Sequence, residues 1–366
     1  MKIEKRNLLR DMAEKYDLPA VLVYSPLWRK ENFRYLTGLN FFGPCAMVLY
    51  LADADEVCLI LSSAWDRERA GAGLRSVNHF MTTGRDWQIV SDYLAAKEIN
   101  ALGVTSGGLL PAGLHASLSG AGIAIKSTDG FLERIRFRKT PEEVECLRSA
   151  VRLADRAFPV FLDGIAKGLN EFQIVAEVEY ALKKMGAEDN FMLISTGGKD
   201  VFGMTPPQNR TAKEGDLVLT ELTPQRNGWW CQICRTVVKG TSSADQLKAF
   251  GIYYEAAEAG MAALKPGVSI SDVAKAENDV FRKYGFGEYT TSKYTRVRGH
   301  GQGMHLDEAP TVNEDVDLIV EEGMVIVIHP NTYCPLSGYM VFGDPVVVTK
   351  NGCEILSTTE RKLFQV

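Results

Sequence analysis

The sequence predicts two domains, a smaller α/β domain over residues 1–135 and an α+β domain over residues 140–366. Three observations lead to this prediction. The chain has 366 residues, which is more than one ordinary hydrophobic core accommodates. In the first part, short apolar runs alternate with helical or glycine-rich stretches. The second part repeats a pattern of two helices followed by strands, which predicts two halves around an approximate two-fold axis.

The first domain is predicted from three apolar runs with the length of buried strands, AVLVYSP (20–26), CAMVLYL (45–51) and EVCLILSS (56–63). The second begins at a helix start. Thr140 precedes Pro141, and Glu143 stands three residues after Thr140, which is the pattern of a capping box with proline at the first helical position. The basic segment RIRFRK directly before Thr140 is the predicted linker.

The internal repeat consists of two segments of equal length, GLNEFQIVAEVEYALKKMG (168–186) and GVSISDVAKAENDVFRKYG (267–285). Each begins and ends with glycine and offers a helix cap, Asn170 in the first and Ser269 in the second. Downstream, the predicted strand EGDLVLTEL (214–222) matches EGMVIVIHP (322–330). Glu221 and His329 then occupy equivalent strand ends. Two polar groups at matched ends of apolar strands predict the centre of a site where the halves meet.

Composition excludes several classes of function. The net charge of −5 is small and spread along the chain, so no nucleic-acid partner is expected. The first twenty residues are interrupted by charges, and no apolar run approaches the roughly 18 residues of a membrane span, so neither a signal peptide nor a membrane partner is expected. Seven scattered cysteines predict reduced thiols and a cytoplasmic protein. Cys231 and Cys234 would face opposite sides of a strand, which disfavours a zinc or redox motif.

Four motifs occur in a characteristic order: ENFRYLTGLNFF (31–42), GHGQG (299–303), EEGMV (321–325) and DPVVVTKNGCEIL (344–356). With them the chain resembles the creatinase/aminopeptidase P/prolidase family, peptidase M24. The resemblance implies a pita-bread catalytic domain over 140–366, with the predicted pseudo-two-fold repeat, after a creatinase-type N-terminal α/β domain over 1–135. It also implies a homodimer in which the N-terminal domain of one chain lies near the active site of the other.

Most members of this family hold two metal ions, and the resemblance shows which residues stand at the five ligand positions. These residues are Glu221, Gln232, His300, His329 and Gly343. Only the histidine at 300 is the residue that the family uses. Two divalent ions need several anionic oxygens, whereas this set carries one negative charge. The expectation is therefore a divergent member, closer in kind to creatinase, that lacks the dinuclear centre and needs no cofactor.

The predicted function is a metal-independent, creatinase-like hydrolase that cleaves a C–N bond in a small polar, nitrogen-containing substrate. His300 and His329 are the predicted proton-transfer pair, and Glu221 is expected to stay ionised and to raise the pKa of a neighbouring histidine. Creatine itself is not expected. The resemblance places Met204 at creatinase's catalytic histidine and Cys234 at its acidic residue before Arg-Thr, and its substrate-binding arginine falls near Gly43. Two alternatives remain open: a hydrolase or lyase with one divalent ion at Glu221, His300 and His329, and a non-catalytic module that binds peptides or proteins.

Several further residues are predicted to bind the substrate. Asp307 would bind an ammonium or guanidinium group, although a solvated loop at the rim explains it equally well. Arg296 and Arg298 alternate along a predicted strand and would share a face, where they would clamp a carboxylate or form ordinary salt bridges. The remaining predicted contacts are Gln232, Met204, Trp230, His305 and Glu308, of which His305 and Glu308 also fit a solvated rim.

Overall fold

The computed structural model describes residues 2–71, 79–82, 84 and 86–366. The chain forms two compact units, residues 1–135 and 136–366. No helix in these described ranges combines the length and the apolar composition that a membrane crossing requires.

The first unit is built on a six-stranded mixed sheet in the order β4-β3-β2-β1-β5-β6. Its strands are β1 (Ala20–Pro26), β2 (Cys45–Leu51), β3 (Glu56–Leu61), β4 (His79–Thr82), β5 (Ala101–Thr105) and β6 (Ala124–Ser127). Its helices are α1 (Ile3–Tyr16), α2 (Glu31–Thr37), α3 (Ala64–Gly71), α4 (Gln88–Ala96), α5 (Ala112–Gly120) and α6 (Phe131–Phe137), the last of which crosses into the second unit.

The central strands of this sheet are apolar throughout because both faces are covered. Val21 and Val23 pack into one core with α1 and α2, whereas Leu22 and Tyr24 pack into a second core with α4 and α5. A strand buried on both faces reads as a continuous apolar run rather than an alternating one. The three runs recognised in the sequence are β1, β2 and β3, so these strand predictions are confirmed.

The second unit repeats one pattern of two helices and a sheet. The first half contains α7 (Pro141–Ala166), α8 (Glu171–Lys184), β7 (Asp189–Gly197), β8 (Leu217–Arg226), β9 (Trp229–Trp230) and β10 (Ile233–Val238). The second half contains α9 (Ala244–Ala263), α10 (Ile270–Lys283), β11 (Gly299–Gly301), β12 (Glu308–Thr311), β13 (Val325–Ile328), β14 (Thr332–Cys334), β15 (Gly338–Met340), β16 (Asp344–Thr349) and β17 (Gly352–Ile355). The last strand, β18 (Phe364–Gln365), returns to the first sheet beside β10.

The two halves supply two sheets, one in the order β18-β10-β8-β7 and one in the order β12-β11-β13-β16-β17. Backbone bonds join them, because the N–H of Cys234 donates to the carbonyl of Gly343 at 3.0 Å and the reverse bond measures 3.1 Å. Next to this bridge, the guanidinium of Arg235 binds the carboxylate of Asp344 at 2.6 Å, and both side chains are buried. The two sheets therefore meet where Cys234 of β10 is bonded to Gly343, and the candidate site lies next to this contact.

The helix starts follow from local sequence. Thr140 and Asn170 both form complete capping boxes at the N-termini of α7 and α8, which confirms these predictions. Ser269 caps α10 by accepting from the N–H of Ser271.

One strand prediction needs correction: β8 continues to Arg226, so Glu221 lies inside the strand, whereas His329 directly follows β13.

Candidate functional site

Glu221 is the carboxylate of the candidate site, and it has an amide partner rather than a cationic one. On β8 it pairs with Leu193 of β7 and Cys234 of β10. Its Oε1 accepts a hydrogen bond of 2.8 Å from the side-chain amide of Asn331. Burial raises the pKa of Glu221 to about 7, repulsion from Asp307 adds to this, and the hydrogen bond from Asn331 opposes it. The expectation that Glu221 stays fully ionised is therefore wrong.

His300 and His329 are neighbours, with ring centroids 5.2 Å apart. Strands β11 and β13 bring them together, since His300 pairs with Val327 two residues before His329. Burial, followed by the charges of His300 and Arg298, holds the pKa of His329 well below its usual value. Among the described residues, no hydrogen-bond partner reaches its Nδ1. A neutral imidazole can accept a proton but does not act as an acid near pH 7, and the role of His329 in proton transfer stays a prediction.

The glycines around His300 allow the backbone to pack closely on both sides. A Cβ at Gly299 would lie 2.1 Å from the carbonyl oxygen of Val327, and one at Gly301 would lie 2.4 Å from that of Ala309. Neither distance is sterically allowed for a side chain. The sequence GHGQG thus fixes the histidine between two neighbouring strands, β12 and β13.

His300 directs one ring nitrogen toward Asp307, whose Oδ1 lies 3.2 Å from Nε2. The other nitrogen, Nδ1, lies 3.0 Å from the carbonyl oxygen of Gly301 and 3.3 Å from the side-chain amide nitrogen of Gln302. A neutral ring would accept from Gln302, and a protonated ring would donate to Gly301. Because an ionised carboxylate only accepts, the form that fits the contact with Asp307 carries a proton on Nε2 and donates it there. Because the Asp307 side chain is 71% exposed, this pair faces the open side of the site.

Glu308 stabilises the loop next to Asp307 and is not free for substrate. Its carboxylate binds the guanidinium of Arg136 at 3.0 Å and the ammonium of Lys139 at 3.5 Å, and all three side chains are buried. Burial alone would raise the pKa of Glu308, but these two cations hold it below its usual value. Glu308 also accepts from the N–H of Met304 at 3.0 Å. The prediction that Glu308 binds substrate is corrected for this reason.

Arg296 and Arg298 do not form a clamp. The segment that carries them is not a strand, Arg296 is exposed, and Arg298 is fully buried. The Arg298 guanidinium donates to the side chain of Asn278 and to the carbonyls of Thr295 and Asn331, at 2.5 to 2.8 Å. Arg296 instead pairs with Asp315 at 2.9 Å. The expectation of a shared face is wrong because the side chains point in different directions.

The other predicted contacts differ in how accessible they are. Gln232 is buried, and its side-chain amide donates to the sulfur of Cys234 at 3.2 Å, so it is occupied within the protein. Met204 lines a cavity of about 350 Å³ beside the end of β7. Trp230 is partly buried on β9, and its backbone N–H donates to the carbonyl of Gly303. His305 is partly buried next to the exposed Asp307. For Met204, Trp230 and His305, substrate contact stays a prediction.

Sequence reasoning missed Asn331, which is 1% exposed and binds Glu221. The sequence does show an asparagine two residues after His329, and its burial became clear only in the structure.

The five positions that resemble metal ligands do not fit a two-ion centre. Glu221 is the one carboxylate among them, and Gln232 contributes a neutral amide that is already bound. Gly343 offers no side chain, and a Cβ there would lie 2.5 Å from the Cβ of His329. Within the described ranges, no group of three or more histidine, cysteine, aspartate or glutamate side chains is arranged to hold an ion. The single-ion alternative with Glu221, His300 and His329 does not fit either.

Comparisons with known proteins show the family. The model of metallopeptidase family M24 matches residues 145–350. An Xaa-Pro dipeptidase from Pyrococcus furiosus is 31% identical over 241 residues, which cover 65% of this chain and 68% of the relative. An Xaa-Pro dipeptidase from Pyrococcus horikoshii is 30% identical over 276 residues, which cover 74% of this chain and 77% of the relative. The structure of a prolidase from Pyrococcus horikoshii OT3 matches with a TM-score of 0.86 at 26% identity, over 98% of this chain and 99% of that one.

These matches confirm the predicted pita-bread fold over the whole chain. They contradict the predicted function, because the relatives are named Xaa-Pro dipeptidases and not enzymes of the creatinase kind. They also contradict the expectation that no cofactor is used, since the matching family is one of metallopeptidases. The motifs, the fold and the matched residues agree on one assignment: the chain belongs to metallopeptidase family M24.

Proposed function

We propose that this protein hydrolyses short peptides with a free amino terminus, of the Xaa-Pro class that its relatives are named for. The observation that carries the proposal is Glu221, a carboxyl group whose pKa is raised to about 7, within electrostatic range of Asp307. A group that titrates near neutrality both accepts and releases a proton at working pH. Asp307 in turn is bound to His300, so the three side chains form one site.

Substrate recognition follows from charge. Glu221, when ionised, and Asp307 place negative charge at the site. Arg298, which precedes Asp307 in the chain, is buried with its donors bound inside the protein. The exposed carboxylate of Asp307 is suited to a peptide ammonium group, which would compete with His300 for it.

The chemical step assigned to these residues is a proton transfer. Glu221, in its ionised form, takes a proton from water as the oxygen of that water bonds to the peptide carbonyl carbon. The same proton then passes to the leaving nitrogen when the C–N bond breaks, which leaves a carboxylic acid and an amine. The second water proton then moves from the acid to the amine, so the final products are a carboxylate and an ammonium group. His300 keeps Asp307 in place through its Nε2–H. His329, whose pKa is held well below its usual value, is buried beside His300 and stays neutral.

The family name implies metal ions, and the residues present at the five ligand positions do not fit a pair of them. No step is therefore assigned to a metal.

The test is release of free proline from a panel of Xaa-Pro dipeptides, and of free amino acids from matched peptides without proline. Each assay is run with the protein as purified, after chelation, and with added Mn²⁺. Glu221→Gln should abolish release under the condition in which the wild type is active, while Glu322→Gln, a change at an exposed glutamate, should not. Binding of the peptides without hydrolysis under every condition would overturn the proposal and leave a peptide-binding protein.

A further inference from the structure

Asn331 is buried directly beside Glu221, and each of its polar groups has a partner. Its side-chain amide nitrogen donates to Glu221 Oε1 at 2.8 Å, and its side-chain oxygen accepts from the N–H of Phe342 at 3.0 Å. Its backbone N–H donates to the carbonyl of His329 at 2.6 Å. Its carbonyl accepts from the Arg298 guanidinium at 2.8 Å. Two hydrogen bonds thus hold the side chain in one orientation, and two more hold its backbone.

The direction of the amide follows from these partners. A backbone N–H can only donate, so the atom facing Phe342 must be the amide oxygen. The amide nitrogen must then face Glu221. An asparagine fixed in this way presents a donor at a constant position, with no freedom to turn its oxygen toward the carboxylate.

Arg298 stabilises the backbone of Asn331. Its guanidinium is fully buried and joins three segments, since it binds Asn278 on α10, the carbonyl of Thr295 and the carbonyl of Asn331. The stretch from His329 to Asn331 is therefore fixed at its backbone as well as at its side chain.

We propose that Asn331 is a positioning residue for the reaction of Glu221: it binds Oε1 and so leaves Oε2 as the oxygen that accepts the proton from water. This inference rests on the proposed function. A carboxylate with both oxygens unbound rotates between orientations, and the hydrogen bond from Asn331 to Oε1 selects one of them. The amide donor also stabilises the ionised form, which is the form that acts as a base.

The test compares Asn331→Ala and Asn331→Asp with the wild type. Without the donor, the pH at which half of the activity is reached should rise by about one to two units, because a hydrogen bond to a charged group favours that charged form. At pH 7 kcat should fall roughly tenfold while KM changes less than about twofold, since Asn331 acts on Glu221 and not on the peptide. Asn331→Asp should be the more damaging variant, because it places a second carboxylate against the first.

The matched control is Asn313→Ala. Asn313 is also buried in this unit, and its side-chain amide donates to the carbonyls of Arg296 and Val312 rather than to Glu221. This variant should leave the midpoint of the pH profile where the wild type has it. A shift of equal size in Asn313→Ala would mean that the effect is general destabilisation, which would overturn the proposal.

A second measurement does not depend on activity. The ionisation of Glu221 is followed by infrared difference spectra against pH, with Glu221→Gln used to assign the carboxyl band. The band should titrate at higher pH in Asn331→Ala than in the wild type, and an unchanged midpoint would refute the role of Asn331. If the wild type hydrolyses no peptide, the proposed function fails on its own, while the infrared titration still decides whether Asn331 controls Glu221.

Discussion

Replacing Glu221 with glutamine should change how stability depends on pH. The pKa of Glu221 is about 7 in the folded protein, against an ordinary value of 4.5. Between these two values the folded state binds more protons than the unfolded state, so the contribution of this group is fully present below pH 4.5 and is lost as pH rises through 7. The difference of 2.5 units corresponds to about 3 kcal/mol at most, at 1.36 kcal/mol per unit. Glutamine has nearly the same shape and does not ionise.

The assay is urea denaturation of the full chain at pH 5, 6, 7 and 8. The free energy of unfolding of Glu221→Gln relative to the wild type should increase across this range by up to about 2.5 kcal/mol, with most of the change between pH 5 and 7 and little above pH 7. Glu322→Gln, at an exposed glutamate, corrects for the general pH dependence of the chain. Curves for the Glu221 variant and the wild type that stay parallel would show that Glu221 ionises at its ordinary pKa, and would remove the basis for its role as a base near neutrality.

Three further outcomes follow from contacts elsewhere in this unit. Glu308→Gln removes the carboxylate that binds the buried cations of Arg136 and Lys139, and should cost about 3 kcal/mol or more in urea denaturation; a loss below about 1 kcal/mol would contradict the buried ion cluster. Arg298→Lys should lower the melting temperature nearly as much as Arg298→Met, because one ammonium group cannot reach three separate acceptors, and a lysine variant as stable as the wild type would contradict this. Thr140→Ala removes a capping box and should cost about 1 kcal/mol, whereas no loss would mean that the cap is redundant.

The predictions that succeeded depend on signals that lie close together in the chain. The start of α7 was predictable because Thr140, Pro141 and Glu143 define it within four residues. Strands β1 to β3 were predictable because burial on both faces leaves a continuous apolar run. The repeat was visible because α8 and α10, the second helices of the two halves, have the same length and a cap at the same place.

The predictions that failed depend on partners far away in the chain. Arg296 and Arg298 alternate in the sequence. Arg298 is nevertheless buried, because it donates to Asn278 and Asn331, which are 20 and 33 residues distant. Glu221 was expected to pair with a histidine, yet the group that binds it lies 110 residues away and is an amide. No local pattern encodes which of several polar groups will meet, because that depends on how the two sheets approach each other.

Gly343 shows that the loss of the two-ion ligand set lies in the backbone as well as in the side chains. A Cβ at this position would lie 2.5 Å from both the Cβ of His329 and the carbonyl oxygen of Ile328. The backbone of Gly343 is also fixed, by two hydrogen bonds to Cys234 and by one from Arg235 to its carbonyl at 2.8 Å. The backbone of Gly343 therefore cannot move away from His329 without breaking the hydrogen bonds that join the two sheets.

Gly343→Ala should therefore destabilise the protein by about 1–3 kcal/mol, and lower the melting temperature by several degrees. Gly352→Ala on β17 is the matched control, because nothing lies within 4 Å of a Cβ at that position. Combining Gly343→Ala with a smaller residue at His329 should not restore stability, since the Cβ of residue 329 and the oxygen of Ile328 remain. Full stability of Gly343→Ala would show that the backbone still has room for a side chain. In that case a single substitution to glutamate could return a ligand to the site, and the misfit would be one of side chains alone.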